Sequence, residues 1–464
     1  MPLTPKENNI PLSKFESMLK TNSIYFFDSI EFEEIIHSYL DSGKNSLAKK
    51  AIKLGLDQHP KSVLLKLLQA ELLIFDGEID KASTLLKELQ AIEPTNDEVY
   101  VQQANLCSKK DDHSGAIDLL KIALLYTDDE ADILSLLGME YLFLDDFDQA
   151  RINFEKCLEF DLEDYSSLYN AVYCFDMQNK HQEAAEYLNL YINKDPYSEV
   201  AWHQLGRQYF ILENYNEAVR AFDYAVLIDE YFVGAYLEKA KTLEELNRFE
   251  EAIENYKKTI ELDDPTSFVY LRIGKCYEDL NKANLAIQYY KKATHEDPLL
   301  DKAWFAITNV YLKNRNFSKA LFYIDKAIEI DEQNTIYWRK YAEINLNLNL
   351  FEEAVNGFQQ CILLQDKDLI IWLGLSDTLS YLGEYEDALK NLLKAKTYFK
   401  DFAEIEYRVS ALYFKFKNSK KGTTHLKAAL SIDFESKNIL KELFPDVFKM
   451  KEVKDIIRGF KKKL

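Results

Sequence analysis

Glycine and proline are scarce, 13 and 9 among 464 residues, and that scarcity excludes collagen-like, low-complexity and turn-rich all-β architectures. Long apolar runs are missing as well. No stretch approaches eighteen consecutive apolar residues, so no membrane-spanning helix is expected. Residues 1–27 carry Lys6 and two early prolines but no uninterrupted apolar segment and no small-residue cleavage site, so no secretory leader is expected. Cysteine is sparse and odd in number: Cys107, Cys157, Cys174, Cys276 and Cys361 show no CxxC spacing, and they read as reduced core residues of a cytoplasmic protein. Positive charge is in deficit. With 57 Lys and Arg against 78 Asp and Glu the net charge is −21, and binding to nucleic acid through phosphate neutralisation has no electrostatic basis.

The usual chemical signatures are absent too. There is no GxGxxG, GxxxxGK[ST], HExxH or GxSxG, which removes phosphate cradles, zinc-protease helices and the nucleophile elbow. The seven histidines, His37, His59, His113, His181, His203, His295 and His425, are dispersed, none within three to five residues of another as paired metal ligands usually are. No catalytic residue, metal site or cofactor is expected. Acidic pairs such as Glu250-Glu251 and Glu352-Glu353 fall at the start of a helix, where the helix dipole favours them.

What the chain has is a period of 34 residues. From Glu199 it reads Trp202, Leu205, Gly206, Tyr209, Ala218, Phe222 and Ala225, and the same register returns without insertion from starts at 29, 63, 97, 131, 165, 199, 233, 267, 301, 335, 369 and 403. Position 20 is alanine in eleven of the twelve, from Ala48 to Ala388, with Gly422 in the last, as a close helix crossing requires. All four tryptophans, Trp202, Trp304, Trp338 and Trp372, fall at position 4. Position 15 holds Gly43, Gly77, Asp111, Asp145, Asn179, Asn247, Asn281, Asn349 and Gly383, residue types that tolerate the left-handed conformation where a helix must end. Pro60, Pro94, Pro196 and Pro298 all sit at position 32, between one repeat and the next. Each repeat therefore reads as a helix A over about positions 1–14 and a helix B over about 15–28.

The pattern W-x2-L-G-x2-Y followed by A-x3-F resembles the tetratricopeptide repeat. The resemblance covers residues 29–436 and implies an all-α fold, a right-handed α-solenoid of twelve helix-turn-helix units acting as a non-enzymatic, cytoplasmic scaffold for protein partners. It leaves a 28-residue N-terminal segment (1–28), where Leu12, Phe15, Met18 and Leu19 stand at helical spacing and suit a capping helix or a self-ligand in the groove. It also leaves a C-terminal segment (437–464). The 56 residues outside the repeats are too few to bury a separate catalytic core.

In this family positions 2, 5, 9 and 12 of helix A line the inner, concave face, opposite the core positions. There the central repeats carry Tyr169, Tyr173, His203, Arg207, Phe210, Lys241, Lys275, Phe305 and Asn309, an aromatic and cationic set suited to an extended acidic peptide or a helix of a partner. Arg207, Lys241 and Lys275 occupy position 9 of successive repeats, with Glu244 and Glu278 three residues after the lysines as candidate neutralisers. The two-carboxylate clamp that some members use on chaperone tails is not reproduced, because Val101 and Phe305 stand at position 5 where it needs lysine. The first repeats offer a different, apolar set at Ile30, Leu40, Leu64, Leu67 and Ile74, expected to lie under the N-terminal segment.

Finally, residues 449–464 reverse the sign of the chain. Seven Lys and Arg stand against Glu452 and Asp455, a net of +5, beside an amphipathic stripe of Val453, Ile457, Phe460 and Leu464. The stripe suits a solenoid cap; its alternatives are an anionic membrane surface, an acidic macromolecule such as RNA, or the protein's own acidic body. For the chain as a whole, the alternative to a groove-binding scaffold is a regulatory or assembly subunit that recruits a larger complex through its convex face or tail.

Overall fold

The computed structural model describes residues 10–21 and 25–461. Lys6 and the early prolines, Lys462, Lys463 and Leu464 lie outside the described residues, as does the side chain of Lys461. The described residues form 28 α-helices and one 3-10 turn, with no strand, an all-α helical repeat solenoid. The chain divides into two compact units, Met1–Ala235 and Tyr236–Leu464.

The first unit begins with a head helix, Ile10–Thr21, followed by helix pairs from Ser29–Asp41 with Asn45–Gln58 to Glu199–Ile211 with Tyr215–Ile228. The second contains pairs from Phe249–Leu262 and its A helix onward to Ala403–Lys415 with Ser419–Ile432, closed by Asn438–Leu443, Pro445–Lys449 and Lys451–Lys461. In most repeats helix A occupies positions 1–13 and helix B positions 17–30, so B starts two residues later than the spacing suggests. The reason is local. Position 15 is left-handed in all twelve repeats, including Glu213, Arg315 and Lys417, whose types favour that conformation little, and position 16 then serves as the N-cap of B.

Capping at the start of helix A follows the chemistry of its neighbours. Ser62, Asn96, Asp164 and Ser198 each accept from a backbone N–H in the first turn, a contribution of about 1 kcal/mol apiece. Asp28 and Glu31 form a reciprocal capping box ahead of the first repeat.

Size complementarity sets the packing within a repeat. The position-20 alanines are fully buried, and in the fourth, sixth and eighth repeats a glycine at position 8 receives the ring of position 24, as Gly138 with Phe154, Gly206 with Phe222 and Gly274 with Tyr290. At Gly206 an added Cβ would stand 2.5 Å from the ring of Phe222, and at Gly274 it would run into that of Tyr290.

The head helix is a lid on the first repeat. Phe15 is fully buried, edge-on to Phe27, Phe32 and Tyr39 at 5.8, 6.1 and 6.3 Å, with Met18 buried beside it and Leu12 and Leu19 half-buried. Of the apolar set expected beneath it, only Leu40 packs into that cluster. Leu67 and Ile74 are buried instead with Val99 and Leu106 of the third repeat, and Ile30 stays exposed. At the other end the basic helix Lys451–Lys461 buries Val453 completely and packs Ile456, Ile457 and Phe460 on the last repeat, leaving Lys451, Lys454 and Arg458 exposed.

Candidate partner-binding surface

Among the described residues no three His, Cys, Asp or Glu side chains gather in a way that could hold a metal ion.

In the first unit, Tyr169 and Tyr173 lie four residues apart on Tyr165–Met177 and so share a face, 42% and 47% exposed. Arg207 is exposed on Glu199–Ile211, its Nη1 donating to Oε1 of the buried Gln204 at 3.1 Å. His203 is half-buried, held between the rings of Phe222 and Phe232 at 5.8 and 4.9 Å. Phe210 leans edge-on to Tyr215 at 5.5 Å. Exposure thus gathers Tyr169, Tyr173 and Arg207 as available groups, while His203 and Phe210 are partly spent on packing. Next to Arg207 on the same helix, the buried Gln208 donates to Asp176 at 2.9 Å and meets His181 Nδ1 at 3.0 Å, tying consecutive repeats together.

In the second unit the two lysines of the cationic set have acidic partners other than those the spacing suggests. Lys241 donates to Glu238 at 2.8 Å, its ammonium 5.6 Å from the centre of the Phe268 ring. Lys275, exposed, donates to Asp279 at 3.1 Å. Glu244 is taken by Arg272 and Tyr256, and Glu278 by Lys313 and Tyr290. Burial raises the Glu278 carboxyl, but the bonds from Lys313 and Tyr290 outweigh it and leave it below its ordinary value. Phe305 lies tilted on Tyr337 at 4.9 Å, and Asn309 is half-buried. Exposed pairs such as Lys275 with Asp279 contribute only about 0–1 kcal/mol, so a ligand carboxylate competes for such a lysine on nearly equal terms.

Sequence spacing missed the inter-repeat pairs entirely. Only the within-repeat half of that network left a signal, glutamate at position 12 recurring with tyrosine at position 24 as Glu244 with Tyr256 and Glu278 with Tyr290, whereas the cations that cross from the next repeat, Arg272 and Lys313, stand at different positions, 6 and 13. It also missed the cleft around Trp372, whose signal is Gln365 at position 31 ahead of a position-4 tryptophan, where Trp202, Trp304 and Trp338 follow Asp195, Asp297 and Asp331.

Among the described residues no helix is long and apolar enough to cross a membrane. The basic tail helix, whose apolar stripe faces the last repeat, keeps Lys451, Lys454 and Arg458 in solvent, with Lys449 exposed at the end of the helix before it.

Family models described as tetratricopeptide repeat match residues 131–164, 166–198, 233–265, 269–298 and 301–334. No curated protein matches the chain in sequence. Among solved structures the chain is similar to MamA, with 21% identity over 35% of this chain and 95% of that one at a TM-score of 0.34. It is similar to the C-terminal part of a TPR repeat-containing protein from Cytophaga hutchinsonii, with 18% identity over 53% and 100% at 0.45. It is also similar to the APC/C hetero-tetramer Cut9-Hcn1, with 16% identity over 98% and 99% at 0.33. Arrays of this repeat serve as protein–protein interaction scaffolds. Twelve left-handed turns in one 34-residue register, together with the family matches inside that register, make the chain a tetratricopeptide-repeat protein with tandem repeats.

Proposed function

We propose that this scaffold is non-enzymatic and cytoplasmic, and that it holds an extended acidic segment of a partner protein along the row of A helices. The observation that carries the reading is Arg207. Its guanidinium offers five donors, stands exposed, and among the described residues engages only the neutral amide oxygen of Gln204. A guanidinium so placed suits a bidentate carboxylate, and the exposed Tyr169 and Tyr173 of the preceding A helix supply flat surface for apolar neighbours. Use of the tail helix as a membrane anchor is disfavoured, because the stripe that would enter a bilayer is already packed on protein.

The test is a crosslinking pull-down from native lysate with three baits: wild type, the triple variant Arg207→Glu, Lys241→Glu, Lys275→Glu, and the tail variant Lys451→Glu, Lys454→Glu, Arg458→Glu. A protein lost only from the triple variant supports the reading. Retention by the triple variant with loss from the tail variant overturns it and moves binding to the basic helix.

A further inference from the structure

Seven repeats carry aspartate at position 31, and in each of them the residue is extended, with φ between −121° and −147°, from Asp161 to Asp433. The tenth repeat has Gln365 there, and its φ is +63°. Helix Phe351–Leu363 consequently stops one residue early, with Gln365 and Asp366 folding back onto the carbonyls of Ile362 and Cys361.

That shift alters the tryptophan that follows. Trp202, Trp304 and Trp338 each donate the indole N–H to the carbonyl six residues earlier, at 3.0, 3.0 and 2.8 Å. For Trp372 that carbonyl belongs to Asp366, just beyond the left-handed Gln365, and the indole N–H donates to no acceptor among the described residues. In place of the usual contact there is an open cleft of about 680 Å³ with Trp372 in its lining, a size within the range of ligand sites.

The charged lining is two lysines, Lys367 and Lys394, and one carboxylate, Asp366, which is engaged by Arg339. Lys394 stands with its ammonium 5.7 Å from the centre of the Trp372 ring, and Lys367 is exposed with no acidic partner among the described residues. The neighbouring acids are already taken: Asp366 and Asp368 both accept from Arg339, at 3.2 and 2.9 Å. Apolar walls come from Leu363 and Tyr398, 71% and 65% exposed, with Tyr398 5.5 Å from the Trp372 ring. Three donors without a protein acceptor among the described residues, Lys367, Lys394 and the Trp372 indole N–H, beside exposed apolar walls suit a ligand rich in acceptors and carrying a bulky apolar group.

We propose that the junction of the tenth and eleventh repeats is a second docking site, separate from the row of A helices, that takes an acidic peptide segment with one large apolar anchor. The anchor lies between Leu363, Tyr398 and the Trp372 ring. Its flanking carboxylates meet Lys367, Lys394 and the Trp372 indole N–H.

The full chain labelled with 5-fluorotryptophan gives four ¹⁹F resonances, and Trp372→Phe identifies the one concerned. The probe is a short blocked peptide in which a Leu-Phe pair is flanked by aspartates; its control replaces the aspartates with lysines. The expected result is a shift of the Trp372 resonance alone with the acidic peptide, none with the control, and affinity weakened at least about tenfold in Lys367→Glu, Lys394→Glu. Both lysines are exposed, so an unchanged melting curve keeps that variant interpretable. Binding that survives the charge reversal, equal binding of the control, or no shift at Trp372 overturns the proposal. Concentration-dependent dimerisation lost in the double variant would overturn it in favour of a second copy of this chain. The triple variant at Arg207, Lys241 and Lys275 should bind the probe as wild type does, so this site and the A-helix surface stand or fall separately.

Discussion

Arg272 closes on Glu244 with both prongs of its guanidinium, Nε to Oε1 at 2.9 Å and Nη2 to Oε2 at 2.7 Å, joining the A helices of two successive repeats. The phenolic O–H of Tyr256 donates to the same carboxylate, and burial together with that charge holds the Tyr256 phenol well above its ordinary range. Glu244 is only 8% exposed, so removing the cation strands a buried charge. Arg272→Leu should destabilise the second unit by about 1–3 kcal/mol, read as a lower urea midpoint. Adding Glu244→Leu to it should recover much of the loss, because the stranded charge goes with its partner. Equal midpoints for wild type and Arg272→Leu would show that the bridge carries no stability.

Ala218, at position 20 and fully buried, has no room for a larger side chain. Ala218→Trp should lower the urea midpoint of the first unit by an amount equivalent to about 1–3 kcal/mol. Arg207→Glu, an exposed change on the preceding helix, should leave it within about 0.5 kcal/mol. A harmless Ala218→Trp would contradict the close helix crossing.

The thiols should be inert in the folded chain. Burial pushes Cys174 up to about 11 and Cys276 and Cys361 up to about 12, and raises Cys157 as well. Since the thiolate is the reactive form, iodoacetamide at pH 8 should label these four only after urea is added, with the half-buried Cys107 reacting first. Peptide mapping by mass spectrometry reads the order, and native labelling of Cys361 would be inconsistent with its place in the core.

The last repeat depends on its basic cap. Val453 is fully buried against it, so Val453→Asp should cost about 2–3 kcal/mol by losing that burial and drawing a charge toward apolar surface. Lys454→Glu, on the exposed face, should change stability by no more than about 0.5 kcal/mol. Hydrogen exchange over Ser419–Ile432 distinguishes the two, with faster exchange expected in Val453→Asp alone.

The repeat register, the helix class and the turn at position 15 were all legible in the amino-acid sequence, because each depends on the size or backbone tolerance of one residue recurring at a fixed interval. The alanine column shows this best: Ala48 to Ala388 need only be small, and smallness is visible in the letters. The partners of the charged side chains were not legible. Lys241 has Glu238, Glu244 and Glu245 within reach along its own helix, and it takes Glu238 because Arg272 of the next repeat claims Glu244 with two bonds. Likewise Leu67 and Ile74 look like a free apolar face until the third repeat covers them.

By itself, then, the sequence determined a twelve-fold helical repeat, since local propensity and close packing act within one 34-residue unit. Only the tertiary structure decided which cations stay unpaired, which apolar faces stay bare, and where a one-residue slip at Gln365 opens a cleft beside Trp372. Those outcomes turn on competition between groups in neighbouring repeats, where distances of a few ångströms select one partner among several of equal chemistry.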